Sequence, residues 1–218
     1  MFDFKVAEMQ VDYVDHLGSD INVVNAARVS FAKEVEEFDL EKDSKLINYL
    51  AKHNHFTPLA HTSVTIRVKA PIFMARQFVK HQIGLVWNEE SRRYIDNEPE
   101  FYIPKEWRGR PVNAKQGSAG ILEGSDLYTD FVVSQTKNAL DLYEWLLESN
   151  VAPEQARMVL PQNVMTNWMW TGSLVAFARV VKLRTDDHAQ QEAQELGWLI
   201  NDAIKDLYPV SWKALMNN

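Results

Sequence analysis

A chain of 218 residues, 46% of them hydrophobic, is long enough for one large domain or two small ones with a packed core. Thirty acidic residues against 23 basic ones leave a net charge of −7, which argues against a protein that grips duplex nucleic acid by broad phosphate neutralisation. The absence of cysteine excludes disulfides, thiolate metal sites and a cysteine nucleophile. No apolar run approaches the roughly 20 residues of a membrane span, and the acidic start MFDFKVAEMQ lacks the regions of a signal peptide, so no membrane partner and a cytoplasmic location are expected.

In chain order, Ser44 to His53 reads as an amphipathic helix. From Ser63 to Lys69, Val64, Ile66 and Val68 alternate with Thr65, Arg67 and Lys69, the two-residue period of a half-buried strand. Pro71 suits the first position of a helix, and Met74, Ala75, Phe78, Val79 and Gln82/Ile83 recur at helical spacing. A helix from about Pro71 to Gln82 is predicted, with Arg76, Gln77 and Lys80 grouped on its other face. Pro111 and the glycines at 109, 117, 120 and 124 mark 105–124 as a long loop insertion. Ser125 to Ser149 reads as a second amphipathic helix that offers Leu127, Phe131, Leu142 and Trp145/Leu146 to the core. Asp186 and Asp187 are placed to cap a C-terminal helix in which Ala189, Ala193, Leu196, Ile200, Ala203 and Leu207 form a stripe for core or subunit packing. With no repeat, low-complexity tract or boundary in sight, the expectation is one α+β domain over 1–218.

Between Arg67 and Arg93 six basic residues (Arg67, Lys69, Arg76, Lys80, Arg92 and Arg93) face only Glu89 and Glu90, a surplus of sign opposite to the whole chain. A charge run is usually a solvated face. Here, however, Ser91, Arg92 and Arg93 follow a glycine-containing turn, a combination suited to holding phosphate by charge-assisted bonds. His81 beside Lys80 reads as a general acid or base, or as a helix-end packing residue. His53, His55 and His61 invite a zinc reading, but HNHFTPLAH contains no carboxylate, and no metal is expected. Ser91 lies in no Gly-x-Ser-x-Gly elbow, so hydrogen bonding to a ligand suits it better than attack. Arg157 sits in a short helix-like segment ending at Pro161. Arg184, flanked by Leu183 and followed by Ala189, is expected to be partly buried and to need an anion or polar ligand for its fork of donors.

Lys80-His81-Gln82 followed by Asn88-Glu89-Glu90-Ser91-Arg92-Arg93-Tyr94 resembles the hallmark of the flavin-dependent thymidylate synthases, an Arg-His-Arg run and then Asn-Glu-x-Ser-x-Arg-Tyr. NAARVSF at 25–31, TP followed by His61, KAPIFMARQ at 69–77, EQARMVLP at 154–161 and LRTDDHAQQE at 183–192 are similar to further blocks of that family, in family order. The resemblance implies helices around an antiparallel sheet, and a homotetramer with active sites shared between subunits. It implies transfer of a one-carbon unit from methylenetetrahydrofolate, the folate co-substrate, to dUMP. FAD reduced by NADPH supplies the hydride, and the product is dTMP. The absence of cysteine agrees with a route that needs no thiolate.

By the same resemblance Gln77, Lys80, Glu90, Ser91, Arg92, Arg93 and Arg157 fall where the family holds dUMP. Arg184 falls where an arginine contacts the pyrimidine and favours its ionised form, which makes it the expected catalytic residue. Ser30, Thr57, Lys80, His81, Gln82, Glu89 and His188 fall around the flavin. Lys80 and Gln82 replace two hallmark arginines, and one extra residue separates His81 from Ser91. Ala60 replaces a glutamate, Ser173 and Val175 replace Asn and Arg, and Arg179 replaces Asn, so the flavin contacts are expected to be redistributed. The competing readings are a dUMP-binding protein of this fold without flavin chemistry, and a metal-dependent nucleotide hydrolase built on His53, His55 and His61.

Overall fold

The computed structural model describes residues 2–95, 97–112 and 117–218. Along the chain run β1 (Lys5–Val6), β2 (Gln10–Leu17), α1 (Asp20–Arg28), α2 (Leu40–Lys52), β3 (Ser63–Pro71), α3 (Ile72–Phe78), β4 (Leu85–Glu89) and β5 (Glu100–Phe101). They are followed by α4 (Ser125–Glu148), α5 (Pro153–Ala156), β6 (Met165–Ser173), α6 (Leu174–Arg184), α7 (Gln191–Ile204) and α8 (Pro209–Met216). Two compact units divide the chain: the first gathers Met1–Gln10, Lys69–Lys80 and Glu89–Trp168, the second Val11–Val68, His81–Asn88 and Met169–Asn218. No single cut in the chain separates them. Among the described residues no helix is long and apolar enough to cross a membrane.

The fold is mixed α+β, with an antiparallel sheet in the order β2-β3-β6-β4. The sense is visible in the register. Thr65 Oγ1 lies 3.0 Å from Thr171 Oγ1, and farther along Ile72 N donates to Val164 O at 3.0 Å, so the partner's number falls as the chain advances. Ser173 N donates to Gly84 O and Glu90 N to Asn167 O in the same sense. A parallel pair, β1 with β5, matches Lys5 to Glu100 and Val6 to Phe101. The predicted strand is present in β3, where Val64, Ile66, Val68 and Ala70 are fully buried on one face.

The helices depart from expectation in instructive ways. α2 starts four residues before Ser44, because Asp39 caps it by accepting from Glu41 N and Lys42 N at 3.1 and 3.0 Å. The helix expected to reach Gln82 stops at Phe78, so Lys80 lies beyond it rather than on its donor face. The chain there turns instead, with Gly84 at φ +76° and Ile83 O accepting from Arg179 Nη2 at 3.1 Å. In α4 the expected face is the wrong one. Leu127, Phe131, Leu142 and Trp145 are exposed, whereas Thr136, Leu140 and Tyr143 are buried and only Leu146 of the expected set packs on the core. The polar member of the buried face is satisfied by Asn163 Nδ2, which donates to Thr136 Oγ1 at 3.3 Å.

α7 begins at Gln191, and neither Asp186 nor Asp187 caps it; Asp186 Oδ1 accepts from His188 N at 2.8 Å instead. Its buried stripe is Ala193, Leu196, Ile200 and Ile204, while Ala189 and Leu207 fall outside the helix. Part of the predicted loop, 113–116, lies outside the described residues. On either side of it Arg108 bridges Ile121 in antiparallel fashion, and Leu122 N donates to Trp107 O at 2.8 Å.

Each unit has its own core. Phe4, Phe101, Leu140, Tyr143, Ala156 and Val164 cluster in the first, and Val23, Val24, Ile47, Leu50, Leu59 and Val175 in the second. The second also buries Asp43 completely, compensated by Arg28 Nη2 at 2.6 Å and by Asp39 N at 2.9 Å.

Candidate active site

In the first unit, Ser91 follows the end of β4 and becomes an acceptor at the centre of a cation cluster. Arg157 Nη1 donates to its Oγ at 3.2 Å, Arg93 Nε at 3.3 Å and Arg93 N at 3.4 Å. One hydroxyl oxygen has two lone pairs, so three donors at such lengths exceed what it can satisfy. This is the donor surplus expected where an anion belongs. Beside it is a pocket of about 130 Å³ lined by Glu89, Glu90, Ser91, Arg92, Arg157 and Thr166, with apolar residues completing the wall. The carboxylates are held by β6: Glu89 Oε1 accepts from Thr166 Oγ1 at 2.8 Å and Glu90 Oε2 from Asn167 Nδ2 at 2.9 Å. Arg92 uses Nη1 on Asn97 O at 2.6 Å, while its buried Nε meets no hydrogen-bond partner among the described residues.

In the second unit, α6 delivers two arginines to the turn that follows Lys80. Arg184 Nε donates to His81 Nε2 at 3.0 Å, and Arg179 holds Ile83 O. His81 and Arg184 are both half-buried. Burial, then the charges of Arg184 and Arg179, push the His81 imidazole down to about 4, and burial alone lowers Arg184 from its ordinary value. The turn sits close to β6 because residue 172 is glycine. A Cβ there would stand 2.6 Å from Gly84 O and 2.4 Å from Leu85 Cδ2. Trp87 stacks edge-on against Trp170, and Trp170 against Phe177, fixing β4 to β6 and β6 to α6.

A cavity of about 340 Å³, also in the second unit, brings Ser30 and Thr57 together with Asn54, His55 and Phe56. Two hydroxyls, an amide and an imidazole supply hydrogen-bonding groups beside a phenyl ring, a lining that fits a nucleotide-like group carrying flat rings. The residues that depart from the family pattern have structural uses in this unit. Ser173 Oγ accepts from Ala176 N at 3.3 Å as the cap of α6, and Val175 lies in the core.

Of the expected nucleotide residues, Glu90, Ser91, Arg92 and Arg157 share the pocket and Arg93 joins through Ser91. Gln77 is half-buried on α3 and Lys80 exposed beyond it; neither lines that pocket. Of the expected flavin residues, Ser30 and Thr57 share the cavity, whereas Glu89 lines the Ser91 pocket and His81 pairs with Arg184. Gln82 is exposed in the turn and its carbonyl accepts from Leu85 N, and His188 is exposed. His53 and His55 stack with Tyr49; among the described residues no group of three or more His, Asp or Glu is placed to hold a metal ion. Thr166, Asn167 and the anchoring use of Arg179 were not foreseen. The signal available for the first two was the β-branched and aromatic content of TNWMWT, which marks a strand.

The chain matches the family described as thymidylate synthase complementing protein over residues 12–210. It is 39% identical over 205 residues, covering 93% of this chain and 89% of the relative, to the flavin-dependent thymidylate synthase of Thermosipho africanus. The enzyme of that name from Thermus thermophilus is 36% identical over 204 residues, 94% of this chain and 74% of the relative. Among solved structures it is similar, with a TM-score of 0.88 and 30% identity over 98% of this chain and 97% of the other, to the UMP/dUMP methylase PolB from Streptomyces cacaoi bound with 5-Br dUMP.

Proposed function

The chain belongs to the flavin-dependent thymidylate synthase family, and from that premise we propose that it methylates dUMP to dTMP, with methylenetetrahydrofolate as one-carbon donor and NADPH-reduced FAD as hydride source. We read 1–218 as one such domain, assembled as a cytoplasmic homotetramer. The observation that carries the nucleotide assignment is the convergence of Arg93 and Arg157 on Ser91 Oγ. A phosphate oxygen carries charge and lone pairs that the hydroxyl lacks, so it draws those donors to itself and Ser91 is left to donate to it. Glu90, held by Asn167, offers a carboxylate to the hydroxyl donors of the nucleotide in the same pocket.

With no thiol in the chain, activation of the pyrimidine falls to cations. Arg184, half-buried, stabilises negative charge that develops on the ring, an interaction worth more in a partly desolvated setting than in water. Ser30 and Thr57, with the neighbouring imidazole and aromatic ring, are the groups that hold FAD. When bound, FAD supplies the hydride that completes the methyl group.

The test is a visible spectrum of purified protein incubated with FAD and desalted, then treated with NADPH without oxygen, followed by a dTMP assay with dUMP and methylenetetrahydrofolate. Retained flavin bands that bleach, and dTMP formed in proportion to enzyme, are expected. Protein that emerges colourless yet binds dUMP would overturn the synthase reading in favour of a nucleotide-binding protein of this fold.

A further inference from the structure

We propose that His81 is a positioning residue: its neutral imidazole accepts the Arg184 Nε–H and thereby fixes the plane of the guanidinium to which the reading above assigns the pyrimidine. This rests on the assignment of Arg184 to the reaction given above. It gives His81 a role that acts through the arginine.

The geometry fixes the tautomer. A guanidinium nitrogen donates and never accepts, so the 3.0 Å contact from Arg184 Nε requires a lone pair on His81 Nε2, and the imidazole carries its proton on Nδ1. Protonating Nε2 would set two donors against each other. Arg184 and Arg179, both on α6, oppose a positive imidazole, as does its burial. The Nε–H lies in the guanidinium plane, so an acceptor there removes rotation about the last side-chain bonds of Arg184 and directs the terminal amino edge. The acceptor is itself anchored. Two residues on, Ile83 O is held by Arg179, which stands five residues and thus more than one helical turn before Arg184 on α6. One helix therefore carries both the cation to be aimed and the clamp on the segment that aims it. Gly172 admits the turn to this position, since any Cβ would meet Gly84 O.

The experiment compares wild type, His81→Phe and His81→Gln as full chains loaded with FAD. Phenylalanine keeps a flat ring without the acceptor, whereas glutamine places an amide oxygen near the site of Nε2. His81→Phe is expected to retain flavin through desalting, to change the KM for dUMP by less than about threefold and to lower kcat about 100-fold, the cost of misplacing a catalytic group by about 1 Å. His81→Gln is expected to restore at least a tenth of the wild-type kcat. Turnover by His81→Phe close to wild type, loss of its flavin, or equal loss in both variants would each overturn the proposal.

A wild type that makes no dTMP would instead remove the reading of the reaction, and the contact is then tested alone. Nitrogen-15 spectra of the histidines, with the His81 signals assigned by their loss in His81→Gln, are expected to show protonation on Nδ1, and Arg184→Leu to shift that tautomer balance. A balance unmoved by Arg184→Leu would overturn the contact itself.

Discussion

The Ser91 cluster and the His81–Arg184 pair both direct guanidinium groups at a neutral side chain, yet they differ in exposure and in what the neutral group does. Arg93 and Arg157 are exposed and converge at 3.2 to 3.4 Å on a hydroxyl that cannot satisfy them all. Such donors turn readily to a better acceptor, and the hydroxyl can switch from accepting to donating. Arg184 is half-buried and donates at 3.0 Å to a ring nitrogen that burial and cations keep unprotonated. That arginine is held for its geometry. The first arrangement suits binding of a charged group already present in the ground state, and the second suits charge that develops only during reaction.

Replacement of one arginine from each cluster tests this division most severely. Arg184→Ala is expected to lower kcat for dTMP formation by about 1,000-fold or more, the scale seen on removing a preorganised charge-stabilising donor, with flavin retained. Arg157→Ala is expected to raise the KM for dUMP by about tenfold or more with kcat largely intact, as for loss of a charge-assisted bond made equally before and during reaction. Steady-state kinetics on both variants decides it. Interchanged signatures would dissolve the distinction, and near-normal turnover by Arg184→Ala would remove that residue from the mechanism.

A smaller effect is expected from Gly172→Ala. The new Cβ would stand 2.4 Å from Leu85 Cδ2, which can move, and 2.6 Å from Gly84 O, which is backbone and yields less easily. Overpacking of this kind costs about 1–3 kcal/mol, measurable by denaturant unfolding. Because the displaced turn is the one that presents His81, kcat should fall more than the KM for dUMP changes. Unaltered stability and kinetics would mean that the close approach is not needed.

Ser91→Ala belongs below this. It removes one neutral hydrogen-bonding group from a pocket that retains Arg93 and Arg157, so the KM for dUMP is expected to rise by no more than about tenfold, with turnover preserved at saturation. Complete loss of turnover at saturating dUMP would assign Ser91 to the chemistry and erase the contrast between the clusters.

How far these features could be read from the chain depended on whether a local pattern encoded them. β3 was legible because one face is buried and the other is not, so polarity alternates with the pleat. β6 also alternates in burial from Thr166 to Ser173, but its polarity does not follow that alternation. Its buried positions include Thr166 and Gly172 while the apolar Met169 is only half-buried, and polarity no longer reports the face. In α4 a buried Thr136, satisfied by Asn163, displaced the larger apolar residues that hydropathy alone would have turned inward. The basic run with its glycine-containing turn already pointed to Ser91 and Arg93 as anion holders, and His81 and Arg184 stood out on their own; the family resemblance added Arg157 and the ligand of each. It did not supply the contact between His81 and Arg184, residues 103 positions apart that the resemblance assigns to different ligands.

The mildest expected effect is a pH dependence that belongs to one cluster only. The folded protein holds His81 neutral until about pH 4, whereas the unfolded chain's imidazole takes up its proton near 6.5. Between those values the unfolded state binds more protons, so stability rises with pH across that window. This contribution is complete above about 6.5, declines as the solution is acidified, and is gone below about 4. His81→Gln removes the titrating group and should flatten part of the slope of unfolding free energy against pH. The quantity to measure is the difference between the variant and wild type in denaturant unfolding at matched pH values, in which every contribution common to both cancels. Ser91→Ala removes no titrating group and should leave the slope as it is. An unchanged slope in His81→Gln would mean that the imidazole is not held neutral, and with it would go the rigid acceptor that distinguishes the Arg184 cluster from the adaptable one around Ser91.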